Sequence, residues 1–318
     1  MAPSVAMVSQ KGRILRIARI GLTVPHLDAS CAFYCEALGF EEVRRERRSG
    51  SAFAALAGLA GARAEASILR LGAQEIELVA YEVTGRPYPT PRGAADPWFQ
   101  HFAIVTSEMD AAYQSLQSRT GWTPISSNGP QQLPPDKGSI VAFKFRDPDG
   151  HPLELSWFPP EKAGAWGKAD ASRLFLGIDH SALAVRDMAK SQEFYRNGLG
   201  LLPAGSQLNA GPTQAGLDGL PGAEVEISSL NTEEDGPHLE LLHYRGGHGQ
   251  PFDRFAANDV AATRIISAAR NSEALAAAST TRGGRRVSAP GARPGRELLS
   301  DPDGHLIELF DEPQANAG

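Results

Sequence analysis

The chain reads as an α+β protein built from four units of βαβββ order, and three internal repeats predict it. LTVPHLDASCAFYCEALGF (22–40) returns as LAVRDMAKSQEFYRNGLGL (183–201) at an offset of 161, with the pair Phe33, Tyr34 preserved as Phe194, Tyr195. DPDGHPLEL (147–155) returns as DPDGHLIEL (301–309) at an offset of 154. A weaker copy inside the first half relates RIGLTVPHLDAS (19–30) to HFAIVTSEMDAA (101–112) at an offset of 82. Two duplicated halves of two units each give all three offsets.

Each unit opens with a short apolar strand, passes a Pro/Asp/Ser capping turn into a helix and returns through extended segments. The first half spans 12–158, as units 12–90 and 97–158; a polar linker, 159–172, leads to the second half, 173–312, as units 173–245 and 250–312. In the first unit the strand before LTV leads into the LDASCAFYCEAL helix, and QEIELVAY returns as a strand. The second opens on WFQHFAIV and the third on GIDHSALAV, with HLELLHY returning. The fourth is the most degraded: PFDRFAA is its predicted first strand, and SEALAAASTTRGGRRVSAPGARPG reads as loops around a strand or two. Both DPDG phrases are reversing turns, because Pro presets φ and Gly accepts a positive φ. After the first turn, Leu153, Leu155 and Trp157 share one strand face and Glu154 and Ser156 the other. His151 and His305 are expected at solvent-facing hairpin tips.

A chain of 318 residues suits two domains of about 150 residues each. A net charge of -6 spread over short segments offers no basic face for nucleic acid. No 18-residue apolar run suggests a membrane span, and the N-terminal stretch lacks the pattern of a signal peptide, so a cytoplasmic protein, monomer or homodimer, is expected. Cys31 and Cys35, at i and i+4 on one predicted helix, read as small reduced residues packing that helix.

The opening phrase LAVRDMAKSQEFYRNGLGL, the closing DPDGHxxEL hairpin and the four βαβββ units resemble the vicinal oxygen chelate superfamily. That group includes glyoxalase I, extradiol dioxygenases, methylmalonyl-CoA epimerase, and the fosfomycin and bleomycin resistance proteins. The resemblance implies two open barrels, each made from two facing units, with one divalent metal ion in the cleft between them. It also places ligands on the first strand and on later strands of the paired units.

Carried over residue by residue, the implied positions are Arg19 and Glu77 in unit one, His101 and Glu154 in unit two, and His180 and Glu240 in unit three. Unit four keeps Glu308 but shows no histidine in PFDRFAA. Units two and three are complete, so pairing across the halves would collect His101, Glu154, His180 and Glu240 in one site and leave the other without histidine. Such a set suits Fe, Mn, Ni, Co or Zn, and the lack of thiolate argues against structural zinc. Taken alone, Glu154 fits a metal ligand or a structural ion pair, and a lone strand histidine is more often structural. Ala103 and Ala182, beyond each histidine on the same face, leave room beside the metal. Trp98, Phe99 and Tyr81 are expected as an aromatic substrate wall, and Arg19 as the partner of Glu77 or Glu308. His243 and His248, near Glu240, read as loop histidines, with lining the cleft or replacing a ligand as the alternative.

The resemblance implies a lyase or isomerase of the glyoxalase I kind, acting on a small substrate chelated through two adjacent oxygens, with Glu154 and Glu240 as the catalytic carboxylates. The alternative is an Fe(II) dioxygenase acting on a catechol-type aromatic. However, Lys144 and Leu298 stand where the extradiol branch would carry a tyrosine. A non-catalytic resistance or binding protein is the third reading.

Overall fold

A computed structural model describes residues 12–170, 172–247, 249 and 254–313. Unit one contains β1 (Arg13–Thr23), α1 (Leu27–Leu38), β2 (Glu41–Arg48), α2 (Ser51–Ala57), β3 (Ala64–Leu71) and β4 (Gln74–Tyr81). Unit two contains β5 (Gln100–Thr106), α3 (Met109–Gln117), β6 (Thr123–Pro124), β7 (Gln131–Gln132), β8 (Val141–Arg146) and β9 (Pro152–Trp157). Unit three contains β10 (Phe175–Ala184), α4 (Met188–Gln192), β11 (Leu202–Asn209), α5 (Pro212–Asp218), β12 (Val225–Asn231) and β13 (His238–Tyr244). Unit four contains β14 (Arg264–Arg270), α6 (Ser272–Thr280), β15 (Arg285–Arg286), β16 (Arg296–Ser300) and β17 (Leu306–Asp311).

The fourth unit corrects the sequence reading. Its first strand is β14, drawn from TRIISAAR, whereas residues 254–256 of PFDRFAA are non-strand and 251–253 lie outside the described residues. The stretch expected as loops opens with α6, capped by the Asn271 side chain accepting from Ala274 N at 3.1 Å. A run such as RIISAA lacks polar alternation because β14 lies in the middle of its sheet and is buried throughout its apolar length. Periodicity alone cannot identify such a run.

The sheets cross the two halves. One runs β15-β16-β17-β14-β1-β4-β3-β2, joining units four and one; the other runs β11-β12-β13-β10-β5-β9-β8-β6, joining units three and two. Their central pairs are antiparallel and have the same register: Gly21 faces Arg264 and Arg19 faces Ile266, while Ala182 faces His101 and His180 faces Ala103.

The two largest apolar clusters mainly follow the halves, and two smaller ones mainly join unit one to unit four and unit two to unit three. Of the largest, one joins α1 (Tyr34, Leu38) and Ile76, Leu78 to Phe102, Phe143, Leu153 and Leu155 of unit two; the other joins Phe194, Tyr195 and Leu239 to Ile265, Leu299 and Leu309 of unit four. The repeated motifs meet here. Tyr34 OH donates to Asp147 Oδ2 at 2.8 Å, and Tyr195 OH to Asp301 Oδ2 at 3.0 Å. Each aspartate opens a DPDG turn, and Asp147 Oδ1 accepts from the backbone N–H groups of Asp149, Gly150 and His151 at 2.7–3.0 Å. Gly150 (φ 98°) and Gly304 (φ 104°) supply the positive φ that each reversal needs.

The turn histidines are buried, contrary to the solvent-facing expectation. His151 Nδ1 faces Asp147 Oδ2 at 2.9 Å, and its Nε2 reaches two carbonyls, both at 3.1 Å: that of Thr23 at the end of β1 in the opposite sheet, and that of Val260 in the turn before β14. His305 Nε2 lies 2.8 Å from the Ala184 carbonyl. Each hairpin tip is docked on the neighbouring sheet, so these polar rings replace water contacts with backbone ones. Burial opposes a charged His151, but the facing Asp147 carboxylate raises its pKa.

Candidate metal centre

Alternation along central strands explains how four side chains come together. On β5, Phe102 and Ile104 enter the core, so His101 and Ala103 face the cleft; on β9, Leu153 and Leu155 enter the core and Glu154 faces out of it. Ala103 is in register with both Glu154 and His180, and Ala182 with both His101 and Glu240. The two alanines project only a methyl group into the square that they centre, so the four longer side chains can approach one another above them.

His101 Nε2 lies 3.3 Å from Glu154 Oε2, His180 Nε2 lies 3.7 Å from Glu240 Oε2, and the histidine ring centroids are 5.7 Å apart. Ligand atoms of His101, Glu154 and His180 all lie within 4.8 Å of one another. Ser156 Oγ donates to Glu154 Oε1 at 2.7 Å, and Ser229 Oγ to Glu240 Oε1 at 3.2 Å.

Burial and the Lys144 ammonium push the His101 imidazole down to about 4, which keeps it neutral and able to donate a lone pair. Burial opposes ionisation of Glu154, yet His101 and Lys144 hold it well below the usual carboxylate range. Glu240, also buried, is brought down to about 2 by His180 and His238. For His180, burial is outweighed by Glu240 and Asp179, which raise it to about 9.

Several neighbours escaped sequence reasoning. Asp179 Oδ2 receives His180 Nδ1 at 3.0 Å, while linker residue Trp166 donates from Nε1 to Asp179 Oδ1 at 2.8 Å. His238 Nε2 lies 3.5 Å from Glu240 Oε1, and its place two residues before Glu240 on one strand was the available signal. Lys144, in register with Glu154, extends Nζ to within 3.7 Å of Glu154 Oε2 but is held by Asp218 at 2.7 Å. A cleft of about 200 Å³ opens over these groups, walled by Leu133, Ile140, Phe158 and Ile227. Among the described residues the buried Asn209 Oδ1 and Gln214 Oε1 in that wall have no partner.

The expected aromatic wall is not there. Tyr81 belongs to the other sheet and lines its cleft, stacked on Phe53 at 6.0 Å. Trp98 packs on Tyr88 within the apolar cluster of that side. Phe99 packs 5.6 Å from the His101 ring and supports it without lining the cavity. His243 lies 3.2 Å from the Val185 carbonyl, away from the cleft, and His248 lies outside the described residues.

The residues suit a divalent cation. Two imidazoles and two carboxylates converge, one imidazole is neutral, and the nearby ammonium is already paired with Asp218. His101 and His180, with Glu154 and Glu240, would hold the ion.

In the other sheet the same four register positions carry Arg264, Arg19, Glu308 and Glu77. Glu77 is bound by both Arg48 Nη atoms at 2.5 and 2.9 Å and approached by Arg264 at 3.5 Å; Glu308 is bound by Arg296 at 2.8 Å. Arg19 pairs with Glu75 at 2.9 Å and with neither expected partner. Its strand neighbour Glu75 captures it at the sheet surface, whereas Glu77 and Glu308 are already engaged deeper in the cleft.

No curated protein sequence matches the chain. Among solved structures it is similar to glyoxalase I from Zea mays, at 21% identity, covering 94% of this chain and 92% of that one, with a TM-score of 0.61. It is also similar to a putative dioxygenase from Bacillus subtilis, at 15% identity, covering 95% and 86%, with a TM-score of 0.56. At these identities the likeness concerns the fold. The model of the Glyoxalase/Bleomycin resistance protein/Dioxygenase superfamily matches residues 16–155 and again 177–309. With one match to each half, the chain belongs to that superfamily in a two-module form.

Proposed function

We propose that the chain is a metal-dependent enzyme of the lyase or isomerase branch, acting on a small substrate with two adjacent oxygens. The observation that supports this most is the convergence of His101, Glu154, His180 and Glu240 from four central strands, with the same positions in the other sheet occupied by arginine and glutamate. A bound divalent ion would act as a Lewis acid, stabilising negative charge that develops on the substrate oxygens. Glu154 is fixed by Ser156, His101 and Lys144. Glu240, with longer contacts to Ser229, His238 and His180, has more freedom to take and return a proton. The unpartnered oxygens of Asn209 and Gln214 would accept hydrogen bonds from substrate hydroxyl groups.

Metal analysis of purified wild type, His101→Ala and His180→Ala tests the reading. About one ion per chain, lost in both variants, is expected; an ion retained in both would refute the site. A wild-type chain that holds no metal would instead point to a non-catalytic binding protein. A second reading, an Fe(II) dioxygenase, is favoured by one feature: His101, His180 and Glu154 by themselves form a compact two-histidine, one-carboxylate group. Oxygen uptake over catechols after anaerobic purification would separate it from the isomerase reading.

A further inference from the structure

The arginine cleft of the other sheet has features of a binding site in its own right. It encloses about 610 Å³ and is lined by seven arginines against two carboxylates, Glu46 and Glu308. Arg264, only 3% exposed, occupies the position of His101. A guanidinium has no lone pair for a cation and presents a planar array of donors, so the substitution converts a cation site into a donor site.

The carboxylates are already spoken for. Glu77 is held by Arg48 and Arg264, Glu308 by Arg296, and Glu46 by Arg48 at 2.7 Å and Arg44 at 3.4 Å. Arg47 and Arg293 line the same cleft and make no ion pair among the described residues. Positive charge is therefore in excess. The same cleft is also lined by the stacked Phe53 and Tyr81 rings and by Leu56 and Leu298, which give it an apolar part.

We propose that this cleft binds a small organic dianion, with its phosphate or carboxylate oxygens bridged by the arginines and its flat body against Phe53 and Tyr81. Arg47 and Arg293 supply the uncompensated charge at the mouth, and Arg264 the buried donors beneath. Every group involved lies on units one and four, so occupancy does not depend on the histidine cleft.

Titration calorimetry of the full chain as purified, at low ionic strength, tests this with inorganic phosphate, phenyl phosphate and phthalate as probes. About one saturable event per chain is expected, weakened at least about tenfold when Arg47→Ser and Arg293→Ser are combined, and retained in His101→Ala. Phenyl phosphate should bind more tightly than inorganic phosphate; comparison with phthalate tells phosphoryl from carboxyl ligands. Arg264→Gln should weaken binding further, and the exposed double variant keeps the test valid if that protein fails to fold. Three results would overturn the proposal: no saturable binding of any probe, full-strength binding in the double variant, or binding abolished by His101→Ala. Equal affinity for phenyl and inorganic phosphate would overturn the role given to the aromatic surface.

Discussion

Replacing Lys144 by methionine is a direct test of how the histidine cleft is balanced. The ammonium lies 2.7 Å from Asp218 and 3.7 Å from Glu154, with side-chain exposures of 5% for Lys144 and 0% for Asp218. At an effective dielectric of about 20, the attraction to Asp218 alone has a gross magnitude of about 6 kcal/mol. Desolvating both ions costs several kcal/mol each, so the pair contributes little net stability, whereas stranding one member costs about 3–5 kcal/mol. Lys144→Met leaves Asp218 buried without its ammonium, beside the Gln214 amide, which donates at 2.7 Å, and the neighbouring Tyr244 hydroxyl. We expect a loss of about 3 kcal/mol for the single variant. Lys144→Met combined with Asp218→Asn, which still accepts from Gln214, should return to within about 1 kcal/mol of wild type. Urea unfolding followed by circular dichroism, at unchanged m, measures both. A single variant costing under about 1 kcal/mol, or a double variant worse than the sum of its singles, would refute the reasoning. The same change removes a positive charge beside Glu154, so divalent-ion affinity by chelator competition should rise, on the order of tenfold.

Other perturbations follow from the same geometry. An added Cβ at Gly21 would lie 3.0 Å from Arg264 Nη2 and 3.1 Å from Ile266 Cδ1. Gly21→Ala should therefore cost about 1–3 kcal/mol in thermal unfolding; a neutral result would show that the guanidinium is free to move. Burial opposes ionisation of Glu77, but Arg48 and Arg264 hold its folded-state pKa down to about 2, below the ordinary glutamate value of 4.5. Its contribution is therefore present above pH 4.5 and lost as pH falls towards 2, by about 3 kcal/mol in all. Glu77→Gln should flatten the acid limb of the stability profile over that window, and parallel limbs would contradict the pairing. Trp166→Phe removes the donor to Asp179, which orients His180. Metal affinity should fall about 10–100-fold with the fold intact by circular dichroism; unchanged affinity would reduce Trp166 to a packing residue.

The pairing of unit two with unit three was legible because His101 and His180 survive while Arg19 replaces their counterpart. The registers that bring these positions together depend on cross-strand neighbours, which were unknown until the sheets were seen. β14 was missed because TRIISAAR has neither alternation nor histidine. Arg264 therefore went unrecognised as the fourth position of the second cleft. His151 and His305 were misplaced because a DPDG tip looks solvent-facing until a second sheet is packed on it. Tyr81, Trp98 and Phe99 are aromatic residues close in sequence to implied ligands, but the sheet crossing separates Tyr81 from the histidine cleft. Lys144 and Asp218 are 74 positions apart and meet only in the folded chain.

Each half of the chain supplies a strand to the centre of both sheets, so each half relates to the other as one subunit to its partner. The stretch 159–172 is therefore a tether that turns a two-body association into a one-body one. It supplies a fixed effective concentration, so assembly of both clefts should not weaken on dilution, as it would for two separate chains. Cutting that tether should leave a complex whose integrity depends on protein concentration, with the histidine and arginine clefts lost together.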